Sequence, residues 1–192
     1  MHSPSPDGSE PRRVVITGAE STGKTRLAQV LAERFGAPLI PEYAREYALA
    51  RNRPLVEFDV EPIARGQLAA ETRGLLLPAP LLILDTDLLS TAVYARHYYG
   101  WCPEWVARAS QSRSGLYLLL DIDLPFVPDP TRGPAARRPE LQARFQAALT
   151  EAGVTWVPIG GEGPARSVAA VQAVERWLKA PDGRRSDRGP TP

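Results

Sequence analysis

The chain has 192 residues, 43% hydrophobic and 23% charged, which suits one globular domain with a sizeable core. Its formal net charge is +1, with acids and bases interspersed, so no broad positive field is available for nucleic acid and that partner is not expected. One cysteine (Cys102) and two histidines (His2 and His97) exclude an intramolecular disulfide and a metal centre built from those residues.

In chain order, residues 1–11 are rich in Pro, Ser and charge and are expected to be disordered. They lack the apolar run of a secretory signal. The β-branched run Arg13 to Thr17 predicts a buried strand ending at Gly18. From Lys24, the apolar positions Leu27, Val30, Leu31 and Phe35 recur at helical spacing, and Gly36 supplies a stop. Pro38 to Ile40 predicts a brief strand, and a helix-like stretch follows from Glu42 to Ala50. Asp59 is placed to cap a helix running to about Leu77.

Leu81 to Asp85 is apolar on both faces, as parallel strands buried between helices are. A helix from about Asp87 ends at Gly100, and another buried strand covers Leu116 to Asp123. Residues 124–139 hold too much Pro and Gly for regular structure. A helix from about Pro139 to Ala152, a strand Thr155 to Ile159, a Gly160-Gly161 turn and a helix to Trp177 complete the ordered unit, residues 12–179. Residues 180–192 read as a disordered tail. The most apolar region, Leu75 to Leu89, is broken by Pro78, Pro80, Asp85 and Asp87, so no membrane partner is expected and a cytoplasmic location is. Five short strands alternating with helices predict an α/β fold, a parallel sheet covered on both faces. Ligands of such sheets sit at the carboxyl ends of the strands.

Gly18 to Thr25, GAESTGKT, fits G-x-x-x-x-G-K-[ST] between a strand and a helix, the context that this P-loop motif requires. Gly18 and Gly23 permit the backbone angles that turn amides inward around phosphate. Ala19, Glu20, Ser21 and Thr22 complete the cradle, and Arg26 follows it on the helix. Lys24 is expected on the β- and γ-phosphates of a nucleotide and the Thr25 hydroxyl on Mg2+. The chain has two lysines against 21 arginines, so a lysine where a compact point charge is needed is informative.

Asp85, at the end of the third strand, stands where such folds place the acid that orients Mg2+. Asp87 either faces the same cleft or caps the next helix. Glu42, at the end of the second strand, is a candidate to accept the proton of an acceptor hydroxyl, with Arg45 one turn later binding substrate or phosphate. The alternative for these two is an exposed surface pair of small energetic worth. Arg132, Arg137 and Arg138 lie in a segment read as too irregular to pack. It is either a flap that closes over the γ-phosphate or a solvated basic loop. Tyr43, Tyr47 and the aromatic run His97 to Trp105 either line a pocket or pack between helices.

The blocks ITGAESTGKT, PEYAREY, ILDTDLLSTAVY, DLPFVPDPTRG and RFQAAL, in this order, resemble the ribosylnicotinamide (nicotinamide riboside) kinase domain of NadR-type proteins. That domain is grouped among AAA-like P-loop ATPases. The resemblance covers roughly Arg13 to Leu178 and implies a P-loop kinase fold with ATP and Mg2+ as cofactors. The implied reaction phosphorylates the riboside's 5′-hydroxyl, giving nicotinamide mononucleotide. Carried over, Gly18, Gly23, Lys24 and Thr25 hold the nucleotide and Asp85 serves Mg2+. Glu42, Arg45 and Asp87 face the riboside, and Asp129 with Arg132 belongs to the lid.

A cationic aromatic ring should favour carboxylates and aromatic faces, which Glu42, Tyr43, Asp87 and Trp101 could supply. Pro130 follows Asp129 where the family's lid block reads Asp-Gly, which stiffens that loop. NadR-type proteins commonly carry an adenylyltransferase domain with an HxGH-type motif. Neither the length nor the histidines here allow one, so a stand-alone kinase is expected. A kinase for another nucleoside or vitamin-like alcohol, and a regulatory NTPase without an acceptor, are the competing readings. A homo-oligomer is left open.

Overall fold

The computed structural model describes residues 10–112, 114–126 and 137–180. The expectations for residues 1–9 and 181–192, and those for Asp129, Pro130 and Arg132, lie outside these residues. The chain builds β1 (Arg12–Thr17), α1 (Lys24–Phe35), β2 (Leu39–Ile40), α2 (Tyr43–Arg51), α3 (Val60–Leu75) and β3 (Leu81–Asp85). There follow α4 (Leu88–Tyr99), α5 (Glu104–Gln111), β4 (Leu116–Leu120), α6 (Arg138–Glu151), β5 (Thr155–Ile159) and α7 (Gly163–Lys179).

The five strands form one parallel sheet in the order β2-β3-β1-β4-β5. Alternation along the strands explains the two-sided cover. Val14 and Ile16 of β1 face one way, onto Leu27, Ala28 and Leu31 of α1 and Ala170, Ala173 and Val174 of α7. Val15, Leu82, Leu84, Tyr117 and Leu119 face the other way, onto Val93 of α4 and Leu141, Phe145 and Leu149 of α6. A one-residue slip of β1 would exchange these faces, so the register is strongly specified. The central position of β1 brings the loop after it beside the carboxyl end of β3, where ligands of such sheets bind. No helix among the described residues is long and apolar enough to cross a membrane.

Two elements differ from the sequence expectation. Helix α5 forms within and beyond a stretch read only as an aromatic cluster. Its Val106 is fully buried against Ala64 of α3 and Leu88 and Ala92 of α4, and eight residues are too few to display a period. Strand β4 stops at Leu120 instead of Asp123, because its partner β5 ends at Ile159 and leaves nothing to pair with.

Asp59 stands at the start of α3 as expected, but its carboxylate turns back instead of capping the helix amides. It accepts from Arg53 Nη1 (2.7 Å) and Nη2 (2.8 Å), Val56 N (2.9 Å) and the Tyr47 hydroxyl (3.1 Å). The Arg53 hydrogen bond, reinforced by Val56 and Tyr47, outweighs burial and lowers the Asp59 pKa from 3.8 to about 2. Since the folded value lies below the unfolded one, the stabilisation is present at neutral pH and is lost as pH falls through the folded value. It is worth about 2 kcal/mol. Asp59→Asn is expected to lose about that much by urea titration at pH 7, and the gap from the parent should narrow on going to pH 3. A gap independent of pH would remove this assignment.

Candidate active site

The loop between β1 and α1 takes its shape from residues in the left-handed region: Gly18 (φ 128°), Ser21 (φ 55°) and Gly23 (φ 82°). At Gly18 a side chain has no room, since a Cβ would lie 2.8 Å from the Leu120 carbonyl oxygen. The Thr22 hydroxyl donates to the Ala19 carbonyl (2.9 Å), and the buried Ala19 amide donates to Gln142 Oε1 (3.4 Å). Two arginines brace the loop from outside. Arg138 donates to the Ser21 carbonyl (3.4 Å) and the Leu124 carbonyl (3.1 Å). Arg166, buried on α7, donates to the carbonyls of Thr22 and Gly161 and pairs with Asp123. The Lys24 ammonium lies over the loop, donating to the Gly18 (2.9 Å) and Ala19 (2.7 Å) carbonyls and to the Tyr94 hydroxyl (3.2 Å). Arg26 is exposed on the first turn of α1.

Asp85 closes β3 and is 2% exposed. Burial pushes its carboxyl above the usual range and the nearby Glu42 carboxylate adds to this, while a hydrogen bond from the Thr25 hydroxyl and the Lys24 charge oppose it. Its Oδ1 is buried without a hydrogen-bond partner. Thr86, next in the chain, has φ 67°, a strained value for a β-branched residue. Its amide donates to the Ile16 carbonyl (3.0 Å), which ties the end of β3 to β1. The buried Gln67 of α3 joins the neighbouring pieces, accepting from the Tyr43 amide (3.1 Å) and donating to the Thr86 carbonyl (3.5 Å). In this way the start of α2, which Glu42 immediately precedes, is held against the turn after β3.

Beside the loop, α2, residues 54–56, α3 and α4 enclose a cavity of about 420 Å3, a size usual for small-molecule sites. Glu20, Glu42 and Arg45 supply its charge, Tyr94, Tyr98 and Tyr99 its aromatic faces, and Ala48, Leu55, Val60 and Ile63 an apolar wall. Glu20 belongs to the phosphate loop by sequence, yet its largely buried side chain borders this cavity. Glu42 and Arg45 lie 3.8 Å apart, with Glu42 mostly buried and Arg45 half exposed. The pair is therefore a cavity edge and not an exposed surface contact.

Several expected ligand contacts are placed elsewhere. Asp87 is buried and caps α4, accepting from the Ser90 amide (3.1 Å) and from the Tyr117 hydroxyl (2.6 Å), so the capping alternative holds and its carboxylate does not border the cavity. Tyr43 packs against Gly66 of α3, where an added Cβ would meet its ring at 2.0 Å, and is spent on that helix contact. Trp101 is 40% exposed and does not border the cavity. Arg137 and Arg138 are not part of an unpacked flap. Arg137 donates to the His97 carbonyl (3.0 Å) and lies over the Tyr98 ring, and Arg138 opens α6 buried against the loop. His97 is buried at the end of α4, where burial and Arg137 pull its pKa down and Glu140 opposes them. It has no place in the cavity.

Tyr94, Arg166 and the cavity role of Glu20 lie outside the expectations drawn from the sequence. Only Tyr94 left a usable signal, since Thr91, Tyr94 and Tyr98 recur every three or four residues and share one face of α4.

A sequence model described as an AAA domain matches residues 13–166. The chain belongs to this AAA-domain family. Among curated proteins, the trifunctional NAD biosynthesis/regulator protein NadR of Escherichia coli (strain K12) is 28% identical over 158 residues, 79% of this chain and 38% of NadR. The chain thus spans well under half the length of the curated relatives it matches. A crystal structure of NadR protein in complex with NR superposes with a TM-score of 0.72 at 28% identity, covering 89% of this chain and 52% of the other. A second, of NadR in complex with NAD and AMP-PNP, gives 0.70 at 28% identity, covering 91% and 51%. Thymidylate kinase from Ehrlichia chaffeensis shares the fold at 11% identity, with a TM-score of 0.61 and coverage of 86% and 100%. The expected resemblance to NadR-type proteins and the α/β P-loop kinase fold are both borne out.

Proposed function

We propose that the chain is an ATP-dependent kinase that phosphorylates the 5′-hydroxyl of nicotinamide riboside, a step of NAD salvage carried out in the cytoplasm. One observation carries this reading: a cavity with two carboxylates and three tyrosines stands directly against a complete phosphate loop. A motor or switch needs the loop but not the cavity. The nicotinamide ring is cationic, so Glu20 and Glu42 offer opposite charge and the tyrosine rings offer stacking faces. The NadR complexes with NR and with AMP-PNP support the same pairing of ligands.

Lys24 would exchange the Gly18 and Ala19 carbonyls for the β- and γ-phosphate oxygens of ATP. A nucleotide-borne Mg2+ fits the donors present, because Asp85 Oδ1 is buried without a partner and the Thr25 hydroxyl meets the same carboxylate. When bound, the ion supplies positive charge against the phosphate oxygens. Glu42 takes the proton of the acceptor hydroxyl as its oxygen bonds to the γ-phosphorus. The bond from that phosphorus to the β–γ bridging oxygen breaks, and its electron pair leaves with ADP. Arg45 steadies the Glu42 carboxylate from the cavity edge.

The test is ADP release measured with nicotinamide riboside, a set of deoxynucleosides, thiamine and no acceptor. Release is expected to rise at least tenfold with the riboside over the acceptor-free background. The same rate with and without every acceptor would replace the kinase reading with an NTPase one. A larger rise with another alcohol would change the substrate and keep the chemistry.

A further inference from the structure

We infer that Tyr94 is a positioning residue that joins the acceptor cavity to the phosphate loop. Its hydroxyl donates to the Gly18 carbonyl (2.9 Å) and accepts from Lys24 Nζ (3.2 Å), using both capacities of a phenol on the two ends of the loop. Its ring is at the same time a wall of the cavity. The proposed function enters only through what fills that cavity; the contact with the loop stands apart from it.

Packing holds the ring where it is. Phe145 of α6 meets it edge-on with centroids 5.4 Å apart, and Tyr98, one turn along α4, lies parallel at 6.1 Å. The hydroxyl is therefore aimed by the aromatic core and not by the loop. The Gly18 carbonyl receives both the Tyr94 hydroxyl and the Lys24 ammonium, at a residue whose φ of 128° sets the first bend of the cradle. When Lys24 moves to phosphate, the tyrosine keeps a donor on that buried carbonyl, so the cradle does not relax as its lysine leaves. An acceptor seated in the cavity would meet this ring, so one side chain borders the cavity and contacts the residue that holds Lys24.

Tyr94→Phe keeps the ring and deletes the hydroxyl. With the full chain and no acceptor, affinity for AMP-PNP with Mg2+, measured by calorimetry, is expected to fall roughly five- to tenfold. In turnover assays kcat should fall by a similar factor and the ATP KM should rise, while the acceptor KM stays within about twofold. Tyr94→Ala should add a rise of at least roughly tenfold in acceptor KM. The inference is overturned if Tyr94→Phe, folded by circular dichroism, binds AMP-PNP like the parent. Equal shifts in both KM values for Tyr94→Phe would also overturn it, as they indicate general loosening. Should Tyr94→Ala fail to fold, the phenylalanine variant alone decides. If the parent does not use nicotinamide riboside, the functional proposal fails, yet the acceptor-free AMP-PNP comparison still settles Tyr94.

Discussion

Lys24→Ala is expected to reduce turnover roughly a thousandfold while leaving the sheet intact. The ammonium is the cation that α1 presents at the loop, and transfer places growing charge on phosphate oxygens that need a compact partner. The fold should survive because the loop has other fasteners. The Tyr94 hydroxyl remains on the Gly18 carbonyl, and the Thr22 hydroxyl remains on the Ala19 carbonyl. Lys24→Arg should not rescue the rate, since a planar guanidinium does not reproduce the compact point charge that meets those two carbonyls and Tyr94. The measurement is single-turnover phosphoryl transfer alongside a thermal melt. Near-parental turnover in a folded Lys24→Ala protein would dismiss the loop as the catalytic phosphate site.

Glu42→Gln is expected to lower kcat by roughly a hundredfold or more, with AMP-PNP affinity changed by less than about threefold. The substitution keeps size and most hydrogen bonding but removes the proton acceptor. The position of Glu42 makes it the candidate. It borders the cavity, and its charge adds to the burial that raises the pKa of Asp85 at the neighbouring strand end. On the proposed reaction, a carboxylate between the cavity and the end of β3 is the group expected to take the acceptor's proton. Parental kcat in the glutamine variant would transfer the base role to another group, with Glu20 the next carboxylate on the cavity wall.

What was legible in the sequence had local causes. The phosphate loop is set by glycines, a lysine and a threonine within eight residues, and its strand and helix follow from side-chain periods that neighbours impose on one another. The positions of Asp85 and Glu42 are legible for the same reason, each being the acid that follows or ends a short apolar run. Errors fell on residues with two physically reasonable fates. Asp87 could face the cleft or cap α4, and the hydroxyl of Tyr117, thirty positions along, joined the Ser90 amide in holding it inside. Tyr43 and Trp101 carry the right chemistry for an aromatic pocket, but the bare backbone of Gly66 accepts the first and the second stays 40% exposed, away from the cavity.

By itself, then, the sequence determined the loop between the first strand and helix, the strand end at which it lies and the acid beside it, because contiguous residues build that part of the fold. The tertiary structure decided which side chains meet around the acceptor cavity. Tyr94 reaches Gly18 across 76 positions and Arg166 reaches Thr22 across 144. Contacts at such separations are settled by how helices pack on the sheet and by which rotamers that packing permits, and neither is written in any short stretch of chain.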